Sequence, residues 1–129
     1  MAQSTVYLFS DDATAQDQYA ALTSKGTRTC SGNDLVKRLQ KANSNLQVGE
    51  PGTSRVSVDP LGDQHDGGRV TLPVTTGGQE VELFTDFVFV RESRGIALML
   101  FVDALSPFDE DLRADLTSKV SRRLASQLG

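Results

Sequence analysis

Between Val81 and Val102 the chain carries two apolar runs, Val81 to Arg91 and Ile96 to Val102, separated by only four residues. A connection that short joins neighbouring antiparallel strands and leaves no room for a crossover. In the first run Val81, Leu83, Phe87 and Phe89 alternate with Phe84, Val88 and Val90. Both faces are therefore apolar, which predicts a central strand covered on two sides. The connection Glu92 to Gly95 ends in a glycine able to take the positive φ of a tight hairpin. A helix is predicted to follow, over Pro107 to Leu128. Ser106 and Asp109 match the capping-box spacing in its Asp variant, Pro107 sits where its missing N–H costs nothing, and Asp109, Glu110 and Asp111 complement the positive helix end. Phe108, Leu112, Leu116, Val120 and Leu124 recur every four residues and predict one apolar stripe docked on the hairpin.

Upstream, Thr5 to Phe9 reads as a strand too apolar for an exposed edge. Ser10, Asp11 and Asp12 supply helix-start chemistry for a helix from Ala13 to about Ser24, with Ala15, Tyr19 and Leu22 along one side and Lys25 and Gly26 marking its end. A second helix is predicted from roughly Asn33 to Ala42, with Leu35, Val36 and Leu39 inward. From Leu46 the apolar period becomes two. Gln47 to Glu50 and Arg55 to Val58 read as strand pieces, Asp59 to Gly68 as a polar loop, Arg69 to Val74 as a strand and Thr75 to Gly78 as a turn. Pro73 lacks an amide donor and belongs at an edge, a bulge or a strand end. The order predicts a single α+β domain over residues 1–129. Its expected architecture is an αβ sandwich, an antiparallel sheet of about five strands packed against two N-terminal helices and one C-terminal helix.

At 38% hydrophobic residues the composition is that of a globular chain able to fold without a metal or disulfide. A net charge of −4 argues against nucleic acid as a partner, which requires a concentrated basic surface. Lys119, Arg122 and Arg123 form the one tight basic cluster, and cations late in a helix are accounted for by its dipole. There is no run of about 18 apolar residues, and the N-terminus lacks the basic and apolar regions of a signal peptide, so no transmembrane or export segment is expected in this chain. Cys30 is the single cysteine and has no internal partner.

The sequence names few groups for chemistry. Asp59, Asp63, His65 and Asp66 gather metal-type ligands in one loop, but lack the spacing of a calcium loop and the nitrogen or sulfur donors of a zinc site. No cofactor is implied. Cys30 and His65 make the only available thiol–imidazole pair. Asp86 and Asp103 lie in apolar strands. Facing a cleft, either acquires a binding or acid–base role; paired with Arg91, Arg94 or a backbone donor, it is structural. The nucleophile, metalloprotease and phosphate-loop signatures are all missing, so catalysis is not expected.

Several segments carry a resemblance to a known family. They are Val6 to Ala15 (VYLFSDDATA), Ala21 to Ser24 (ALTS), Pro60 to Asp63 (PLGD), Phe87 to Arg91 (FVFVR), Ser106 to Leu112 (SPFDEDL) and Ser121 to Leu124 (SRRL). Together they resemble a family of actinobacterial exported sensor-domain proteins and lipoproteins, similar to the extracellular domain of mycobacterial receptor serine/threonine kinases of the PknH type. The likeness lies in packing residues and turns. It implies a non-catalytic, extracytoplasmic ligand-binding or sensor-like domain of the cell envelope, with a small molecule or envelope component as partner. The kinase ectodomains hold disulfides, which Cys30 alone cannot supply. The element order also resembles Mog1 and PsbP-like α/β/α folds, which implies a protein partner as the alternative. The first reading predicts a pocket of several hundred cubic ångströms between the sheet and the N-terminal helices; the second predicts a flat exposed apolar patch. A third, a small enzyme, requires Asp86, Asp103 or the His65 loop to converge.

Overall fold

The predicted hairpin forms the centre of a six-stranded antiparallel sheet in the computed structural model, which describes residues 1–128. The strands are β1 (Ala2–Leu8), β2 (Gln47–Val48), β3 (Gly52–Arg55), β4 (Gln64–Thr76), β5 (Gln79–Glu92) and β6 (Gly95–Ala104). The helices are α1 (Asp12–Leu22), α2 (Lys25–Ala42) and α3 (Glu110–Leu128). Across the sheet the order is β1-β6-β5-β4-β2, with β3 beside β2 on the same edge of β4. The fold is α+β, as the element order predicts.

β5 is covered on both faces. Val88 and Val90 pack with Ala97, Met99, Phe101 and Leu124 beneath α3. Phe87 and Phe89 point the other way, against Tyr19 and Leu22 of α1 and against Ile96 and Leu98. α2 continues this second layer over β2, β3 and β4. The sheet is thus sandwiched between α1 and α2 on one side and α3 on the other. Pro73 fits its place for the reason anticipated. Its carbonyl accepts from Gly49 N at 2.8 Å, so its nitrogen faces the same edge, where the chain passes between β2 and β3 and no ladder partner is required.

The structure corrects several details. β1 is not shielded. It is the edge of the sheet, paired only with β6, and Val6, Tyr7 and Leu8 are 46%, 44% and 59% exposed. α1 ends at Leu22, and Lys25 and Gly26, expected to close it, begin α2 instead, because the side chain of Ser24 caps Thr27 N at 3.2 Å and restarts the helix. In the β5–β6 hairpin the positive φ falls on Ser93, at 50°, and not on Gly95. Gly95 is already in β6, and its missing side chain admits α3: a Cβ there would lie 2.6 Å from Leu128 Cδ1 and 2.9 Å from Leu124 Cδ1. The β4–β5 turn does use glycine for backbone freedom, with φ of 57° and 77° at Gly77 and Gly78, the geometry of a type I′ hairpin.

α3 starts at Glu110, three residues later than Pro107, because Asp109 is the residue that caps it, accepting from Leu112 N at 2.8 Å. Its buried line is also displaced. Arg113, Thr117, Ser121 and Leu124 are buried, whereas Leu112 is 47% exposed. A strict four-residue repeat advances about 400° per step and so drifts about 40° around the helix each time. The apolar stripe therefore straddles the contact, with Leu116, Val120 and Leu128 on its flanks and polar side chains along its centre.

Candidate functional site beneath the C-terminal helix

The polar line of α3 meets a charge on the sheet. Asp86, fully buried on β5, points toward α3 and sits directly across the ladder from Arg69 of β4. Arg69 donates Nε to Oδ1 at 2.7 Å and Nη2 to Oδ2 at 3.0 Å, a bidentate fork. Arg113 donates Nη1 to Oδ2 at 2.6 Å from the helix. The hydrogen bond that Arg69 donates to Asp86 raises the pKa of the Arg69 guanidinium further above its usual value, despite partial burial. One carboxylate thus faces two guanidiniums, leaving one positive charge in excess. The remaining donors of Arg113 are poorly used, since Nη2 reaches Ser57 O only at 3.5 Å.

Beside this cluster lies a cavity of about 80 Å³, lined by Ser57, Val58, Asp59, Leu61, Val88, Glu110, Arg113, Ala114 and Thr117. Thr117 is 2% exposed, and its hydroxyl oxygen is buried without a hydrogen-bond partner among the described residues. A buried hydroxyl of that kind costs about 1–3 kcal/mol relative to a satisfied one. Asp59 and Glu110 are exposed at the rim. The cavity combines a cationic floor, an unpaired hydroxyl, a backbone carbonyl and two outer carboxylates, so it can receive a small polar molecule. Among the described residues, its lining holds no nucleophile–base pair.

The other layer offers far less space. Between the sheet and the N-terminal helices, where the sequence places a binding cleft, the cavity measures about 20 Å³ and is bounded by Arg28, Asp66, Phe87 and Phe89. Tyr19 is buried nearby with its hydroxyl unpartnered among the described residues. Burial, followed by the charge of Asp66, pushes its pKa well up. The fold favours the neutral phenol, so this contribution to stability is intact below the usual phenol pKa of about 10 and falls as pH rises above it. Tyr19→Phe removes an unsatisfied group without removing the ring. Urea unfolding is expected to show equal stability or a gain of up to about 1 kcal/mol at pH 7, with a shallower loss of stability above pH ~10.

The weak metal-ligand candidates Asp59, Asp63, His65 and Asp66 are dispersed. Gln64 to Gly68 belong to β4, so His65 and Asp66 point to opposite faces of the sheet. Asp63 accepts from Ser93 N at 2.7 Å and lies 3.7 Å from Arg91, while Asp66 lies 3.9 Å from Arg28 and 3.6 Å from Arg55. Asp59 belongs to the cavity rim. No group of three metal-type ligands forms among the described residues. Cys30 is exposed on α2, on the opposite side of the sheet from the His65 side chain, so the two do not meet. Asp103 is exposed at the end of β6 and binds the neighbouring Ala104 N at 2.8 Å. Arg91, a suggested partner of Asp86, instead binds Asp12 at 2.6 Å together with Gln64 and Ser93 O. On α3, Lys119 pairs with Asp115 at 3.0 Å, Arg122 donates to Ser118, and Arg123 is exposed.

Sequence reasoning singled out Asp86 but not its partners. Arg69 is visible only through the strand register. Arg113, Thr117 and Ser121 do carry a signal, a four-residue polar repeat one position after the apolar one. No helix among the described residues is long and apolar enough to cross a membrane. Compared with models of protein families, with curated proteins and with solved structures, the chain finds no match.

Proposed function

We propose that this domain is a non-catalytic ligand-binding module, sensor-like and extracytoplasmic as the segment resemblance implies, and that its site is the cavity under α3. The observation that supports this reading is the underused Arg113 guanidinium at the floor of a cavity lined by a buried, partnerless Thr117. A cationic floor selects a carboxylate or similar oxyanion, and the exposed acids Asp59 and Glu110 favour a ligand whose outer end is cationic. At about 15 Å³ for each water on this scale, 80 Å³ holds several waters or a ligand of about five non-hydrogen atoms. Glycine is a probe of that size and charge pattern. At roughly 0.8 kcal/mol per atom, such a ligand binds with a Kd on the order of 1 mM.

The test is a titration of isotope-labelled protein with glycine and, separately, acetate, read by amide chemical shifts. Saturable shifts are expected in residues 57–61 and 110–117. Glycine should bind more tightly than acetate, and Thr117→Val should weaken glycine binding several-fold. No saturable shift in either segment up to about 50 mM of either probe, well beyond the expected Kd, refutes the site.

A further inference from the structure

The exposed edge strand β1 has an internal pattern that identifies its occupant. Met1 exchanges hydrogen bonds with Val102 at 2.8 and 2.9 Å, and Phe9 N donates to Arg94 O at 2.9 Å. The register between these points is unbroken, so Met1, Gln3, Thr5, Tyr7 and Phe9 direct their backbone groups toward β6. Ala2, Ser4, Val6 and Leu8 direct theirs outward, where no strand among the described residues meets them. Edges left open in this way are normally blunted by lysine, proline, a bulge or an inward charge. β1, with the sequence AQSTVYL, has none of these.

Its side chains also alternate in size. On the α3 face the strand presents small residues in its first half, Ala2 and Ser4, and large ones in its second, Val6 and Leu8. Beside the small half runs an open groove of about 170 Å³, lined by Ala2, Ser4, Met99, Phe101, Leu116 and Val120. Antiparallel pairing of β1 with a copy of itself about Thr5 sets Ala2 opposite Leu8 and Ser4 opposite Val6. The large apolar residues of each chain then fall beside the groove of the other. Gln3 meets Tyr7 on the second face, and Thr5 meets Thr5. Every pair is uncharged, so a chain of net charge −4 meets itself at a neutral strip. Such a two-fold, self-complementary contact closes on itself and leaves no further edge at β1.

We propose that the protein forms a two-fold dimer through antiparallel pairing of β1 strands, producing one continuous twelve-stranded sheet across two six-stranded domains. The contact goes beyond the ligand-binding reading and does not depend on it, since no residue of β1 lines the Arg113 cavity.

Two measurements test it. Sedimentation velocity from about 10 to 500 µM should show a shift from the 13.9 kDa monomer toward twice that mass, a range suited to an interface at the small end of stable ones. Val6→Lys places a charge in the strip, and Ser4→Pro deletes an outward amide without touching the β6 ladder. Each should weaken dimerisation at least tenfold while leaving far-ultraviolet circular dichroism unchanged. In addition, Thr5 faces Thr5 at a non-hydrogen-bonded pair, where Cα atoms are about 4.5 Å apart, within disulfide reach. In a Cys30→Ser background, Thr5→Cys should oxidise to a covalent dimer, and Gln3→Cys should not. A wild-type chain that stays monomeric at 500 µM, or a dimer indifferent to both β1 substitutions, overturns the proposal.

Discussion

Asp86→Ala is expected to lower stability by about 3–5 kcal/mol, because it strips the one buried carboxylate among the described residues from a site holding two guanidiniums, one of them buried. For a chain of this size the corresponding drop in melting temperature is roughly 10–20 °C. The cost does not measure the strength of the ion pairs. It measures the penalty for leaving Arg113, 6% exposed, without its counter-charge. Two companion variants separate these meanings. Arg113→Met leaves Asp86 with its bidentate Arg69 fork, so its effect should be smaller, about 1–2 kcal/mol. The triple replacement Arg69→Met, Asp86→Leu, Arg113→Met removes all three charges while conserving volume, and should recover most of the loss. Urea unfolding of the four proteins decides the matter. A triple variant as unstable as Asp86→Ala would mean that the cluster contributes net stability beyond mutual neutralisation.

The ion cluster also marks where the sequence stops being legible. Elements with strong local rules are correctly readable: β5 from its apolar residues on both faces, the Gly77–Gly78 turn from its glycines, and α3 from its acidic start. The helix–strand order then suffices for the α+β class. What escapes is whatever depends on lateral placement. Val6, Tyr7 and Leu8 read as buried because their hydrophobicity is visible, while the absence of a neighbour beyond β1 is not. The stripe on α3 is misphased by one residue because an exact four-residue repeat drifts, and only docking against Val88 and Val90 shows that Arg113 and Thr117 occupy its centre. The Arg69–Asp86 fork follows from the β4–β5 register, which the long strand β4 fixes only once Gln64 to Gly68 are known to belong to it. In the stretch from Asp59 to Gly68, read as a polar loop with weak candidates for metal ligands, Asp63 and Asp66 have arginines as their neighbours in space.

The same segment holds the second large expected effect. Gly62→Ala should destabilise the fold by about 3 kcal/mol or more, and the reason is a close approach rather than flexibility. Gly62 has φ of 62°, a conformation that costs an L-residue about 1–2 kcal/mol. Beyond this, a Cβ at that position would stand 2.5 Å from the backbone oxygen of Arg91 and 2.8 Å from Val90 Cγ1. Neither atom can yield cheaply, since both belong to the central strand. The loop would have to lift, breaking the bond from Asp63 N to Arg91 O at 2.8 Å and that from Ser93 N to Asp63 at 2.7 Å, and drawing Leu61 away from the core under α3. Gly78→Ala supplies the control. Its φ is 77°, but its Cβ would meet nothing within 4 Å, so only the backbone term remains, about 1–2 kcal/mol. Denaturation midpoints of the two variants thus divide strain from contact: equal losses would show that the loop from Ser57 to Asp63 moves aside at little cost. A larger loss at Gly62 would mean that the loop is held against the hairpin firmly enough to wall the cavity beneath α3.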